Sequence, residues 1–235
     1  MINTFLFDLD GTLLPLDMER FLQIYFDEMA KKLYKVVDPE LTPKYIWEAT
    51  EYMIQNTDME ITNMEAFSIR FNQISKSSFE ELLPLFDEFY QGEYLKTKEA
   101  CSPNPMVREI IGLLKEKGID LVLATNPLFP KNAINYRIQW AGLNPDDFIF
   151  ITSYENMHAC KPSIQYFQEI LDIIGRSAEE CMMVGNDVQE DMIAAKLGMK
   201  TFLLEDQMIH RNQEPICYDY KGSYIQLKNY IEENF

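Results

Sequence analysis

Asp8 and Asp10 stand one residue apart in Asp8-Leu9-Asp10-Gly11-Thr12, directly after the apolar run Thr4-Phe5-Leu6-Phe7. Extended backbone alternates its side chains, so both carboxylates point to one side at a strand's carboxyl end, and Gly11 lets the chain turn away. Three later signals match them. Leu121-Val122-Leu123-Ala124 leads into Thr125 and Asn126, Lys161-Pro162 precedes a helical pattern, and Val184-Gly185-Asn186 leads into Asp187 and Asp191. If Asp8, Asp10, Asp187 and Asp191 converge, they raise one another's pKa values and need compensation. A hard cation with oxygen ligands supplies it, and Mg²⁺ suits a site that also takes phosphate oxygens and waters. With Lys161 as a second positive group, and Thr125 and Asn126 as donors, such a site holds a phosphoryl dianion and its trigonal transition state.

The elements that must position these groups are legible as alternating patterns. Apolar runs at roughly 3–8, 119–125, 148–152, 181–185 and 200–204 read as buried parallel strands. Helical patterns follow at Pro105–Glu116, Lys131–Ala141, Pro162–Ile174 and Glu190–Leu197. This alternation predicts an α/β fold with a doubly wound parallel sheet, Rossmann-like, whose ligands sit at the carboxyl ends of the strands.

The chain between the first two strands is too long for a simple crossover. From residue 17 to 95 it reads as helical: Phe21, Tyr25, Met29 and Leu33 recur every four residues, and Met64, Phe67, Phe71 and Ile74 keep a stripe. Thr42 before Pro43 reads as an N-cap pair, and Ser77 with Glu80 has capping-box spacing. A helical second domain over 17–95, inserted into a core of 1–16 and 96–235, is the simplest organisation. The insert carries 7 basic and 16 acidic residues and 14 aromatics, which suits either a solvated acidic surface around an aromatic core or an aromatic-lined lid over a small substrate.

At 235 residues, 47% hydrophobic and 25% charged, the chain has ample material for a buried core. Its formal net charge of −17 argues against nucleic-acid and anionic-membrane partners, so an anionic substrate must find a local cationic site. No apolar stretch is long enough to span a bilayer, and the N-terminus lacks the basic region of a signal peptide. Cys101, Cys160, Cys181 and Cys217 have no CxxC spacing, which predicts reduced thiols and a cytoplasmic location.

In order and spacing these motifs resemble the haloacid dehalogenase superfamily, in its phosphatase branch with a helical cap inserted after the first strand. Asp8 to Thr12 matches the first motif, Thr125 the second, Lys161 the third, and Asp187 with Asp191 the fourth. The resemblance implies that Asp8 is the nucleophile and forms an aspartyl-phosphate, while Asp10 protonates the leaving oxygen and later activates water. It implies that Thr125 and Lys161 bind the phosphoryl group. Mg²⁺ would be held by Asp8, the Asp10 carbonyl and Asp187, with Asp191 as ligand or neighbour. The chain departs from the pattern where Asn186 separates Gly185 from Asp187, and where the segment before Lys161 lacks a common glycine.

The expected substrate is a small phosphorylated metabolite. The alternatives are a phosphomutase or phosphonatase of the same fold, or a non-catalytic phosphate-binding regulator. Carbon–halogen hydrolysis is disfavoured, because that branch lacks a second acid at the position of Asp10. A phosphonatase needs a cap lysine, and none of Lys31, Lys32, Lys35, Lys44 and Lys76 singles itself out. His158 and His210 lack metal-ligand spacing, Trp47 and Trp140 read as packing residues, and Arg70 borders the Phe67/Phe71 stripe.

Overall fold

The computed structural model describes residues 1–212, 215 and 217–235. Its six strands are β1 (Thr4–Phe7), β2 (Asp120–Leu123), β3 (Phe150–Ile151), β4 (Cys181–Gly185), β5 (Lys200–Leu204) and β6 (Tyr220–Gly222). They form one parallel sheet in the order β3-β2-β1-β4-β5-β6. Every residue of β1 is buried, as an apolar run at the centre of a two-faced sheet requires. The chain leaves β1 to one side first and returns through β4 on the other, so a crevice opens at their carboxyl ends.

The two faces follow the period of the strands. Phe5, Phe7, Leu121, Leu123, Met182 and Val184 pack in one cluster with Val107, Ile110 and Ile111 of α5 (Pro105–Glu116) and Ile134 and Ile138 of α6 (Lys131–Trp140). The alternate residues Leu6, Val122 and Met183 meet Tyr166, Phe167 and Ile170 of α7 (Ile164–Ile174) on the opposite face. Helices on both faces of a parallel sheet make the predicted doubly wound fold.

Between β1 and β2 the chain builds α1 (Met18–Leu33), α2 (Thr42–Gln55), α3 (Asn63–Ser75), α4 (Phe79–Gln91) and a 3-10 helix over Glu93–Ala100. Phe21, Tyr25, Met29 and Leu33 are buried together with Phe67, Phe71, Phe79 and Phe86 in a cluster of their own, which also takes in Ala133, Tyr154 and Cys160. The two connections to the sheet run side by side. Asp17 N–H donates to the Ala100 carbonyl at 2.9 Å, and Ser102 N–H to the Pro15 carbonyl at 2.8 Å. A second attachment lies at the start of α3, where the N–H groups of Asn63 and Met64 donate to the carbonyls of Met157 and Tyr154, both at 2.8 Å.

Several local expectations are corrected. Thr42 is the first residue of α2 and not its cap; its hydroxyl donates back to the Asp38 carbonyl. The cap of α4 is Ser78 rather than Ser77, since Ser75 holds the Ser77 N–H and Glu80 faces Ser68 and Ser78. α7 begins at Ile164 instead of Pro162 because the Ser163 side chain accepts from Gln165 N–H and caps it there. The helix expected over Glu190–Leu197 is a 3-10 helix, Met192–Leu197, that stops at Gly198 with φ +96°. β6 and α8 (Tyr224–Asn234) were not expected: β6 is three residues long and mostly exposed, so it has no apolar run to reveal it.

Candidate active site

All four sequence signals arrive at the carboxyl edge of the sheet. Asp8 follows β1, and its N–H donates to the Val184 carbonyl at 3.0 Å, which fixes the backbone between β1 and β4. Gly11 turns the chain with φ +86°, and a Cβ there would run into the Asn186 side chain. That side chain ties the two loops together: Asn186 Oδ1 accepts from the Thr12 hydroxyl at 3.0 Å and Nδ2 donates to the Gln207 carbonyl at 2.7 Å. The departure from Gly-Asp therefore supplies a bracket between loops, and Asp187 carries the carboxylate one residue later.

Lys161 is the electrostatic centre. Its side chain is fully buried, and Nζ donates to Asp8 Oδ1 at 2.9 Å and to Asp191 Oδ1 at 2.6 Å. Burial disfavours the Lys161 ammonium, but Asp191 and Asp8 outweigh it and hold its pKa well above the ordinary lysine value. Burial lifts the Asp191 carboxyl above the usual range, with Lys161 opposing. Gly185 makes room for this arrangement, since a Cβ there would collide with the Asp191 carboxylate. The second oxygen of Asp191 accepts from Asp187 N–H at 3.0 Å.

Thr125, buried beneath the cavity, has its carbonyl fixed by the hydroxyls of Thr152 and Tyr166, both at 2.8 Å. Asn126 has both ends of its amide engaged. Oδ1 accepts from Lys161 N–H at 3.1 Å, and Nδ2 donates to Glu190 Oε2 at 3.1 Å and to the Lys161 carbonyl at 3.4 Å. Expected as a phosphate donor, it instead clasps the Lys161 backbone.

Three site residues escaped the sequence reading. Arg137, only 1% exposed, comes from the buried face of α6 and pairs with Asp10 Oδ2, its guanidinium 4.5 Å from the centre of the Phe129 ring. A charged residue among Ala133, Ile134 and Ile138 was the available signal. Burial raises the Asp10 carboxyl above the usual aspartate range, against the pull of Arg137 and with a further push from Asp8. Arg211, in the loop after β5, meets Asp187 Oδ2 at 2.5 Å and Glu190 Oε1 at 3.3 Å; nothing in its sequence surroundings pointed to it. Glu190 is raised by burial.

Arg70 pairs with Glu48 at 3.6 Å, away from the cavity, and His158 with Glu169 at 2.6 Å. Trp140 stacks on Tyr94 as a packing residue, whereas Trp47 is 48% exposed and lines the cavity, contrary to expectation.

Among the described residues no three Asp, Glu, His or Cys side chains close on one point as a metal cage would. Asp10 is paired with Arg137, and both oxygens of Asp191 are engaged. Asp187 is engaged as well, its Oδ1 by the Gln189 and Glu190 N–H groups and its Oδ2 by Arg211, so a cation would share Asp187 and Asp8 with these partners and with Lys161. These carboxylates and the main-chain carbonyls nearby are all oxygen donors. Such a set fits Mg²⁺, which is commonly bound by one or two carboxylates and keeps several waters.

The cavity over this edge has a volume of about 330 Å³. Asp8, Asp10, Thr125, Asn126, Asp187 and Glu190 line its floor, and side chains of α1 to α4 its roof.

Solved structures share this architecture along nearly the whole chain. A haloacid dehalogenase-type phosphatase from Thermococcus onnurineus superposes with a TM-score of 0.61 at 18% identity, covering 98% of each chain. The putative hydrolase YfnB from Bacillus subtilis, solved bound to magnesium, gives 0.58 at 20% identity, over 100% of this chain and 99% of that one. L-2-haloacid dehalogenase from Xanthobacter autotrophicus gives 0.59 at 13% identity, over 100% of both. No curated protein sequence matches the chain. The sequence pattern of the haloacid dehalogenase-like hydrolases matches residues 2–198, so strand β1 with its carboxylates, the helical insert and the Asp187/Asp191 loop all fall within it, and the chain belongs to that family.

Proposed function

We propose that the protein is a Mg²⁺-dependent phosphomonoesterase acting on a small phosphorylated metabolite through an aspartyl-phosphate at Asp8, with residues 17–95 serving as its cap. The observation that carries this reading is Asp10, a second carboxylic acid beside the nucleophile whose burial favours its protonated form. Displacing a halide needs no proton, because the leaving group is a stable anion. Displacing an alkoxide does.

In the first step an Asp8 oxygen attacks phosphorus, the bond from phosphorus to the alcohol oxygen breaks, and that oxygen takes the Asp10 proton. In the second, water gives a proton to the Asp10 carboxylate and attacks phosphorus, which releases inorganic phosphate and restores Asp8. Lys161 and the Thr125 hydroxyl bind phosphoryl oxygens, and Asp191 and Asn126 position Lys161 from its two ends. Mg²⁺, held by Asp8, Asp187 and the Asp10 carbonyl, would supply charge neutralisation between the incoming dianion and the carboxylates. Arg211, half-exposed and also paired with Glu190, would then have to release Asp187.

Phosphate release from phenyl phosphate, with and without chelator, tests the reading, with Asp8→Asn as the blank. The expected result is Mg²⁺-restored turnover that vanishes in the variant. Halide release from 2-chloropropionate without phosphate release would overturn the reading in favour of dehalogenation, and full turnover in excess chelator would remove the metal from it.

A further inference from the structure

The floor and roof of the cavity differ sharply in chemistry. Opposite the carboxylates the roof presents Phe21, Phe26, Ile46, Phe67, Phe79 and Phe86. Four of its polar side chains already have partners within the protein. The Trp47 indole N–H donates to Glu51 at 2.9 Å, the Thr50 hydroxyl donates to the Ile46 carbonyl at 2.8 Å, and the Tyr25 and Tyr90 hydroxyls bond each other at 3.0 Å. Tyr154 adds one further hydroxyl to the lining.

We infer that the alcohol half of the substrate is a bulky apolar group, arylalkyl or branched alkyl, and not a polyol. This rests on the phosphomonoesterase reading, which places the phosphoryl group on the floor at Asp8 and so sends the alcohol toward the roof. A sugar or glycerol moiety would bring several hydroxyls against aromatic rings and leave them without hydrogen-bond partners, a penalty that grows with each hydroxyl. A ring or branched chain of the same size gains from the same wall. The volume of about 330 Å³ is at the small end of ligand sites, enough for one such group beside a phosphate. Trp47 places a half-exposed indole at the cavity, where it offers an apolar guest a further aromatic face.

The test compares benzyl phosphate and 3-methylbutyl phosphate with glycerol 3-phosphate and ribose 5-phosphate on the full-length protein with Mg²⁺. All four are primary alkyl esters, so intrinsic reactivity is similar and the ratio of kcat/KM reads the pocket. The apolar pair is expected to be favoured at least tenfold, and Trp47→Ser, a change at an exposed position, to cut that preference at least fivefold. Binding of benzylphosphonate to Asp8→Asn, followed by calorimetry, reads the pocket without turnover. It should be at least tenfold tighter than that of methylphosphonate, with a negative heat-capacity change. Equal or reversed preference among hydrolysed substrates overturns this inference and leaves the phosphomonoesterase reading standing. Failure to hydrolyse any of the four or phenyl phosphate overturns that reading, and the substrate inference falls with it.

Discussion

A lysine with no solvent contact is stable here because two carboxylates reach it from different loops, Asp8 after β1 and Asp191 after β4. Its removal strands both. Lys161→Met is expected to lower unfolding free energy by about 3–5 kcal/mol in urea melts, the usual effect of breaking a buried pair. Lys161→Met/Asp191→Asn should recover part of that loss, since one carboxylate fewer is left bare. Asp10 carries a separate prediction. Asp10→Asn should slow alkyl phosphates about 100-fold or more, within the usual range for a general acid, and aryl phosphates far less, because a phenolate leaves without a proton. The variant should also accumulate phosphorylated Asp8 from an aryl phosphate, measured as acid-stable protein-bound phosphate after rapid quench. Equal slowing of both substrate classes without phosphoenzyme would remove Asp10 from proton transfer. Arg137 favours the ionised Asp10, so Arg137→Met should raise its pKa further. The alkaline limb of kcat/KM for an alkyl phosphate, which needs protonated Asp10, should then move to higher pH.

Secondary structure shows why some of these groups were legible and others were not. Asp8, Thr125 and Asp187 follow apolar runs whose ends are visible in sequence, and Lys161 stands just before a helical pattern after the third run, so their placement at one sheet edge could be read in advance. Arg137 was not readable in the same way, because pairing with Asp10 across the sheet is fixed only when α6 packs on β1 and β2. The insert was legible as helix but not in its caps, which depend on hydrogen bonds between helices. Glu80 of α4 is the example: it accepts from Ser68 of α3 at 2.8 Å, from Asn72 of α3 at 3.3 Å and from Ser78 at 2.8 Å. Hydrogen bonds from its own main chain and from Ser68 and Ser78 hold its carboxyl at about 2, below the ordinary 4.5. A depressed carboxylate stabilises the fold above its unfolded value and loses that contribution as pH falls through the folded one. Melting temperature of the wild type should therefore drop between about pH 4.5 and 2 in part through Glu80, and Glu80→Gln should lower it at neutral pH while flattening that part of the acid slope. An unchanged slope in the variant would assign the acid sensitivity elsewhere.

At the scale of the whole molecule, the helical insert meets the sheet-bearing part of the chain through paired connections near residues 15 and 102, through the start of α3, and through packing of Tyr25 and Tyr94 on Phe129 and Trp140. In the cap motion that the proposed function implies, the first would be the hinge and the second a clasp, held by the Asn63 and Met64 N–H groups on the Met157 and Tyr154 carbonyls. Opening about such a hinge would break the clasp and the packing of Tyr25 and Tyr94 on Phe129 and Trp140 while leaving the strand pairings intact. In native-state hydrogen exchange the Asn63 and Met64 amides should exchange together, and faster than the Asp8 and Ala124 amides that belong to the sheet ladder. A bound phosphonate with Mg²⁺ should slow the first pair selectively. Exchange of all four at one rate would mean that the insert does not open separately.

The pairing of β1 bears on how the chain matures during synthesis. Thr4 pairs with Asp120 on one side and with Cys181 on the other, so β1 lacks its first neighbour until residues 120–123 have been made and its second until residues 181–185 have. The helices over 18–100 draw mainly on contacts among themselves and can form early. Asp8 therefore waits beside an already formed helical unit until Lys161 and Asp191 emerge, and only then can the buried cluster of one ammonium and two carboxylates close.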